Sequence, residues 1–276
     1  VAGREFAFFG LKKNQMPGFS FNEISLKSII LILVTALIVF YFLGFAIKRW
    51  LLKKELAKTD AGLGALEGAL LSLFGLFMAF SFGMAADRFN ARRDAVINEA
   101  NAISTAVLRA DLYPDSVRLI LRSQFKEYLD ARLLYHDVGN DTDSIKIALV
   151  KSNDAGLALW KTIGSCAQDP QFYEPNRLMV PAMNSMIDAV TTRDAALNAT
   201  VPASIIWVLM ILSICSSFIV GYGSKGENVN YVIGSIFVIM ISVSLTLIID
   251  LDRPRNGLIT NAQANEKMVE LKQMFE

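Results

Sequence analysis

Apolar positions gather in four unbroken windows, residues 29–47, 62–86, 203–223 and 231–249. Each is long enough in helical form to cross a hydrocarbon layer, which takes about 20 predominantly apolar residues. Between the second and third windows the pattern changes from continuous to periodic. Phe89, Val96, Ala100, Ile103 and Val107 recur three, four or seven residues apart, so the second span is expected to run outward as one long amphipathic helix. Pro114 stops it, and Asp115 and Ser116 are placed to start the next helix.

Further helices are expected over 116–136, 145–166 and 176–197, with breaks at Gly139-Asn140-Asp141 and Asp169-Pro170 and with Pro181 near the first turns of the last one. No strand-like alternation competes with them. The expected fold is an all-α membrane protein, four transmembrane helices with a large helical-hairpin domain inserted between helices 2 and 3. Its parts are an arm (1–28), a first span (29–47), a basic loop (48–61), a second span (62–86), a helical extramembrane domain (87–200), two further spans (203–223 and 231–249) and a tail (250–276). Aromatic residues in the arm, Phe6, Phe8, Phe9, Phe19 and Phe21, suit the headgroup level of a bilayer.

Composition agrees with this partition. Of 276 residues 53 % are hydrophobic and 19 % charged, against roughly 25 % charged in an average soluble chain, and the mean hydropathy is +0.41. The net charge of +1 hides an asymmetry: 87–200 holds 13 Lys and Arg against 15 Asp and Glu, while Lys48, Arg49, Lys53, Lys54 and Lys58 crowd the first loop. With so little net charge there is no footprint for nucleic acid. Counted over short loops, the basic residues place the helical domain outside the cell.

Enzyme chemistry finds no support. His136 is the single histidine and has no neighbour at triad or metal-ligand spacing, and Cys166 and Cys215 give no metal spacing either. The glycines of Gly62-Leu63-Gly64-Ala65-Leu66-Glu67-Gly68 lack the lysine and hydroxyl of a phosphate loop. No catalytic residue, metal or cofactor is assigned.

Two faces of the second span can carry a mechanism. Gly68, Ser72, Gly75, Ala79 and Gly83 form a stripe of small residues suited to close helix packing in lipid. On another face Glu67, Phe74, Ser81 and Arg88 follow at seven-residue steps, which drift only about 20° each. An ionisable group in a span is a functional candidate by default, though Glu67 can also reach Lys54 or Lys58 at the interface. Phe74 and Phe77 can form a dewetting constriction or simply pack. On the fourth span Ser235, Ile239, Ser242, Thr246 and Asp250 share a face that either lines water or bonds a neighbouring helix. Arg88, Arg92, Arg93, Arg253 and Arg255 at the exits would attract anions if gathered round an axis, or else meet headgroups and nearby aspartates.

Several stretches carry a family likeness: Gly64-Ala65-Leu66-Glu67-Gly68-Ala69-Leu70-Leu71, Ala86-Asp87-Arg88-Phe89-Asn90-Ala91-Arg92-Arg93, Asn98-Glu99-Ala100-Asn101-Ala102-Ile103, Leu112-Tyr113-Pro114, Met183 to Asp188 with Arg193, and Asp250-Leu251-Asp252-Arg253-Pro254-Arg255-Asn256-Gly257. Through them the chain resembles the bacterial bestrophin-like family of unknown function, and more remotely the bestrophin anion channels. The resemblance implies a homo-oligomer, in bestrophins a pentamer, in a bacterial inner membrane, with a hydrophobic neck on the second span for which Phe74 and Phe77 are the nearest positions here. It also implies a cytosolic helical domain, opposite to the charge count. The acidic calcium clasp of bestrophins has no counterpart here, so calcium gating is not carried over. The function expected is an anion-conducting oligomer with its pore lined by the second span. The alternatives are a non-conducting sensor or scaffold that meets partners through its long helices and, third, a stator-type proton channel subunit.

Overall fold

A computed structural model describes residues 25–54, 63–137, 142–224, 229–254, 257–259 and 262–276. Eight α-helices order them: α1 (Leu26–Lys53), α2 (Leu63–Ala110), α3 (Asp115–Asp137), α4 (Thr142–Cys166), α5 (Tyr173–Asn198), α6 (Ala203–Gly223), α7 (Tyr231–Asp252) and α8 (Ala262–Glu270). Single 3₁₀ turns precede α5 (Pro170–Phe172) and follow α8 (Leu271–Phe275), and there is no strand among the described residues. Four helices are long and apolar enough to span a membrane. The chain divides into two compact units, one holding α1, α2 through Phe89, α6 and α7, the other holding α2 from Asn90, α3, α4, α5 and α8.

In the first unit α1 buries Ile29, Leu33, Leu37, Tyr41 and Gly44, one side of a helix at three- and four-residue spacing. Leu31 and Ile32 on its other side stay 68 % and 66 % exposed, as suits contact with lipid tails. Helices α1 and α6 cross with their backbones touching. A Cβ on Gly44 would run into the Phe218 carbonyl oxygen, and one on Gly221 into that of Tyr41. The Ser217 hydroxyl donates across the crossing to Leu37 O at 2.7 Å, and Tyr41 Oη donates to Asn230 O at 3.0 Å beside the start of α7. Asn230 in turn caps α7, accepting from Ile233 N at 3.1 Å.

The 48 residues of α2 form one uninterrupted helix, about 70 Å long at 1.5 Å per residue, more than twice a hydrocarbon core. No proline and, past Gly83, no glycine weakens it. In the second unit its Ile103, Ala106 and Val107 are fully buried with Leu121 and Phe125 of α3, Leu159 of α4 and Met183 of α5. Asp169 caps the 3₁₀ turn by accepting from Gln171 N at 3.0 Å, and the chain turns directly into α5. Pro181 lies inside α5, where its missing N–H leaves one helical bond unmade. The tail docks on α3. Arg122 Nη1 grips both Asp111 carboxylate oxygens at 2.7 and 2.8 Å, its Nη2 donates to Met274 O, and Met268 and Leu271 are buried in the same core.

Candidate functional site

The span of α2 is asymmetric in its surroundings. Phe74 is 3 % exposed and packs in the core of its own bundle with Leu37, Leu209 and Leu245. Ser81 is 1 % exposed and its hydroxyl is spent on Phe77 O at 2.8 Å. These two therefore face the bundle of their own chain. The reason is periodicity: residues 74, 78, 81 and 85 fall on one side of the helix, and that side meets the bundle. Phe77 and Phe80 lie round the helix at 39 % and 65 % exposure.

Glu67 also lies on the inward side, half-buried. Its carboxylate presses on Gly223 at the end of α6, so that a Cβ there would collide with it, and Oε1 is buried without a hydrogen-bond partner among the described residues. It makes no ion pair with Lys54, which instead lies over the Trp50 ring at 4.3 Å; Lys58, Lys225, Arg255 and the side chain of His136 lie outside the described residues. Lys48 Nζ donates to Ser224 O at 2.9 Å, capping the same end of α6.

Gly68, Ser72, Gly75, Ala79 and Gly83 are exposed, and a Cβ on any of the three glycines would meet nothing within 4 Å. Within the described chain this stripe packs against no helix; the close crossing belongs to Gly44 and Gly221 instead.

Residues at the exits are engaged to different degrees. Arg88 is half-buried. Arg92 is 2 % exposed and donates to Ala199 O at 3.4 Å, while Arg253 is 4 % exposed. Arg93 is open, side by side with Asp94 at 3.4 Å. On α7, Ser242 is buried with its Oγ unpartnered among the described residues, and Thr246 is half-buried. Asp250 is buried, and its two oxygens accept Leu258 N at 2.7 Å and Ile259 N at 2.9 Å, tying the chain back after α7. Asp252 does the same for the entry to α6, accepting Val201 N at 2.8 Å.

The second unit holds a charged centre to which the sequence reading assigns no role, although Glu99 and Arg193 lie in stretches that carry the family likeness. Glu99 of α2 takes Arg132 Nε of α3 at 2.5 Å on Oε1 and Arg193 Nη1 of α5 at 2.8 Å on Oε2. Their exposures are 0 %, 1 % and 5 %. Burial alone would raise the Glu99 carboxyl, but the charges and hydrogen bonds of Arg132 and Arg193 outweigh it and hold it below the ordinary glutamate value. Burial likewise works against the Arg132 cation, and Glu99 reverses the balance so that it binds its proton more tightly than usual. The Tyr135 ring lies 5.0 Å from one guanidinium and 5.6 Å from the other. A signal for this centre exists in the sequence. Glu99 is in phase with Val96 and Ile103, Arg132 with Leu129 and Tyr128, and Arg193 with Met186 and Val190, so each charge sits on an apolar face. Among the described residues no group of three metal-ligating side chains occurs.

With this geometry in hand, the likeness to known proteins is informative. A family model described as Bestrophin-like domain matches residues 30–260. No curated protein matches the chain by sequence. Among solved structures, a point variant of the bacterial Bestrophin homolog from Klebsiella pneumoniae superposes with a TM-score of 0.71 at 15 % identity, covering 91 % of this chain and 98 % of that one. The same homolog solved by Zn-SAD phasing gives 0.66 at 16 % identity, covering 89 % and 98 %. At this identity the superposition shows a shared fold. Together with the four apolar helices it describes a multi-pass integral membrane protein, whose place in a bacterium is the inner membrane, and the family match over most of its length makes the chain a member of the Bestrophin-like domain family.

Proposed function

We propose that the protein conducts small ions, anions in the first instance, as a homo-oligomer whose pathway is lined by the uncovered face of α2. One observation carries this reading: the α2 span buries a smaller share of its apolar window in its own chain than any other span. Its bare side combines small residues, Ser72, Gly75 and Ala79, with the exposed ring of Phe77. Small residues let neighbouring copies approach, and a ring of phenyl groups repeated round an axis is an apolar constriction that gates by dewetting. Phe77 is then the neck-like position and Phe74 its packing support. Of the arginines at the exit of α2, Arg93 and the half-buried Arg88 are the ones left to draw anions towards the opening.

Purified protein in chloride-loaded liposomes tests this. Selective anion efflux is expected, changed several-fold by Phe77→Ala. Efflux equal to that of empty vesicles would overturn the proposal and leave the scaffold reading; efflux of protons alone would point to the stator-type reading.

A further inference from the structure

Glu99, Arg132 and Arg193 bring two guanidiniums to one carboxylate in the interior of the second unit. Among the described residues one positive charge is left over in an almost fully buried place, and a buried charge without a counter-charge is among the most costly arrangements a fold can hold. Among the described residues no second carboxylate pairs with either arginine. Tyr128, packed beside them, does not supply the missing charge, because burial pushes its phenol upward and keeps it protonated. The face of Tyr135 attracts both cations, which offsets part of the cost and neutralises none of the charge.

The same two side chains also carry leftover donors. Arg132 Nη1 and Arg193 Nε are buried and meet no acceptor among the described residues. A buried N–H on a charged group demands an acceptor. The charge surplus and the orphan donors call for one thing: an acceptor that is itself negative. A water molecule would meet only the second demand. We propose that the second unit binds one small inorganic monoanion of the halide class against Arg132 Nη1, as the third charge of the Glu99–Arg132–Arg193 centre. One surplus charge selects a monoanion. Sulfate, or phosphate at neutral pH, would bring excess charge. The site lies in the unit outside the spans and does not depend on ion conduction.

The test is thermal unfolding of the purified full chain in detergent as bromide replaces gluconate at constant ionic strength. The expected result is a saturable rise in Tm of several degrees with bromide. Arg193→Gln, which cancels the surplus charge, is expected to abolish the response, and Glu99→Gln, which enlarges the surplus, to steepen it. A Tm indifferent to bromide, or a response unchanged in Arg193→Gln, would overturn the proposal. Should that variant not fold, bromide anomalous scattering from crystals of the unaltered chain decides: a peak beside Arg132 Nη1 supports the site, and its absence there overturns it.

Discussion

Glu99 and Arg132, thirty-three positions apart, meet through Oε1 and Nε at 2.5 Å with both side chains out of water. The pair joins the second half of α2 to α3, and Arg193 adds α5 through the other carboxylate oxygen. Removing the shared acceptor strands two buried cations. Glu99→Ala is therefore expected to cost about 3–5 kcal/mol, the range for breaking a buried ion pair, measured by denaturant unfolding in detergent.

The same pair sets an acid limit. Because the Glu99 carboxyl titrates below its ordinary value of 4.5 in the folded chain, its contribution is complete above that pH and drains as pH falls below it. Stability measured as a function of pH should drop on the acid side in the unaltered chain, and part of that slope should vanish in Glu99→Gln.

Glycines in the spans should divide sharply. Gly221→Ala forces a Cβ into the Tyr41 carbonyl and is expected to cost about 1–3 kcal/mol, as overpacking does. Gly75→Ala meets nothing within 4 Å in its own chain, so subunit stability should be unchanged. If α2 meets α2 of another copy, Gly75→Leu should alter the oligomer seen by native mass spectrometry and leave the unfolding of the second unit as it was.

Asp250 holds a turn together. Asp250→Ala loses two charge-assisted bonds to backbone N–H groups and is expected to cost about 2–4 kcal/mol, with faster proteolysis after α7. Asp250→Asn retains an acceptor and should restore part of the loss. Gly257 belongs to the same turn, since a Cβ there would come 3.0 Å from Asp250 O and 3.2 Å from its Oδ1.

Arg122 clasps the tail. Arg122→Ala removes its bonds to Asp111 and Met274 O. Deuterium uptake over residues 262–276 and around Asp111 should rise while uptake in the buried middle of α2 stays low, because those are the segments Arg122 anchors.

Much of this architecture is legible in the chain itself. The run from Leu63 to Ala110 is helical by apolar spacing and by the want of any breaker before Pro114, and α2 is one helix over that range. The role of its individual residues is less legible. A span that is apolar all round offers no contrast from which to tell its inward side, so Phe74 and Phe77, three residues apart, look equivalent in sequence although one is buried and the other open. Asp250 resembles an intramembrane acid until the backbone N–H groups of Leu258 and Ile259 are brought to it.

What the sequence determines by itself is therefore the set of elements: four apolar runs long enough to span, and polar amphipathic runs whose period is that of a helix. These follow from local properties, transfer of side chains out of water and the chain's own hydrogen bonding. Tertiary structure alone decides which charges become neighbours and which glycines become crossings. Glu99 has no meaning as an ion-pair centre until Arg132 and Arg193 are folded against it, and Gly221 none as a contact until it meets Tyr41, 180 residues earlier, because both depend on close packing between segments that share no local sequence signal.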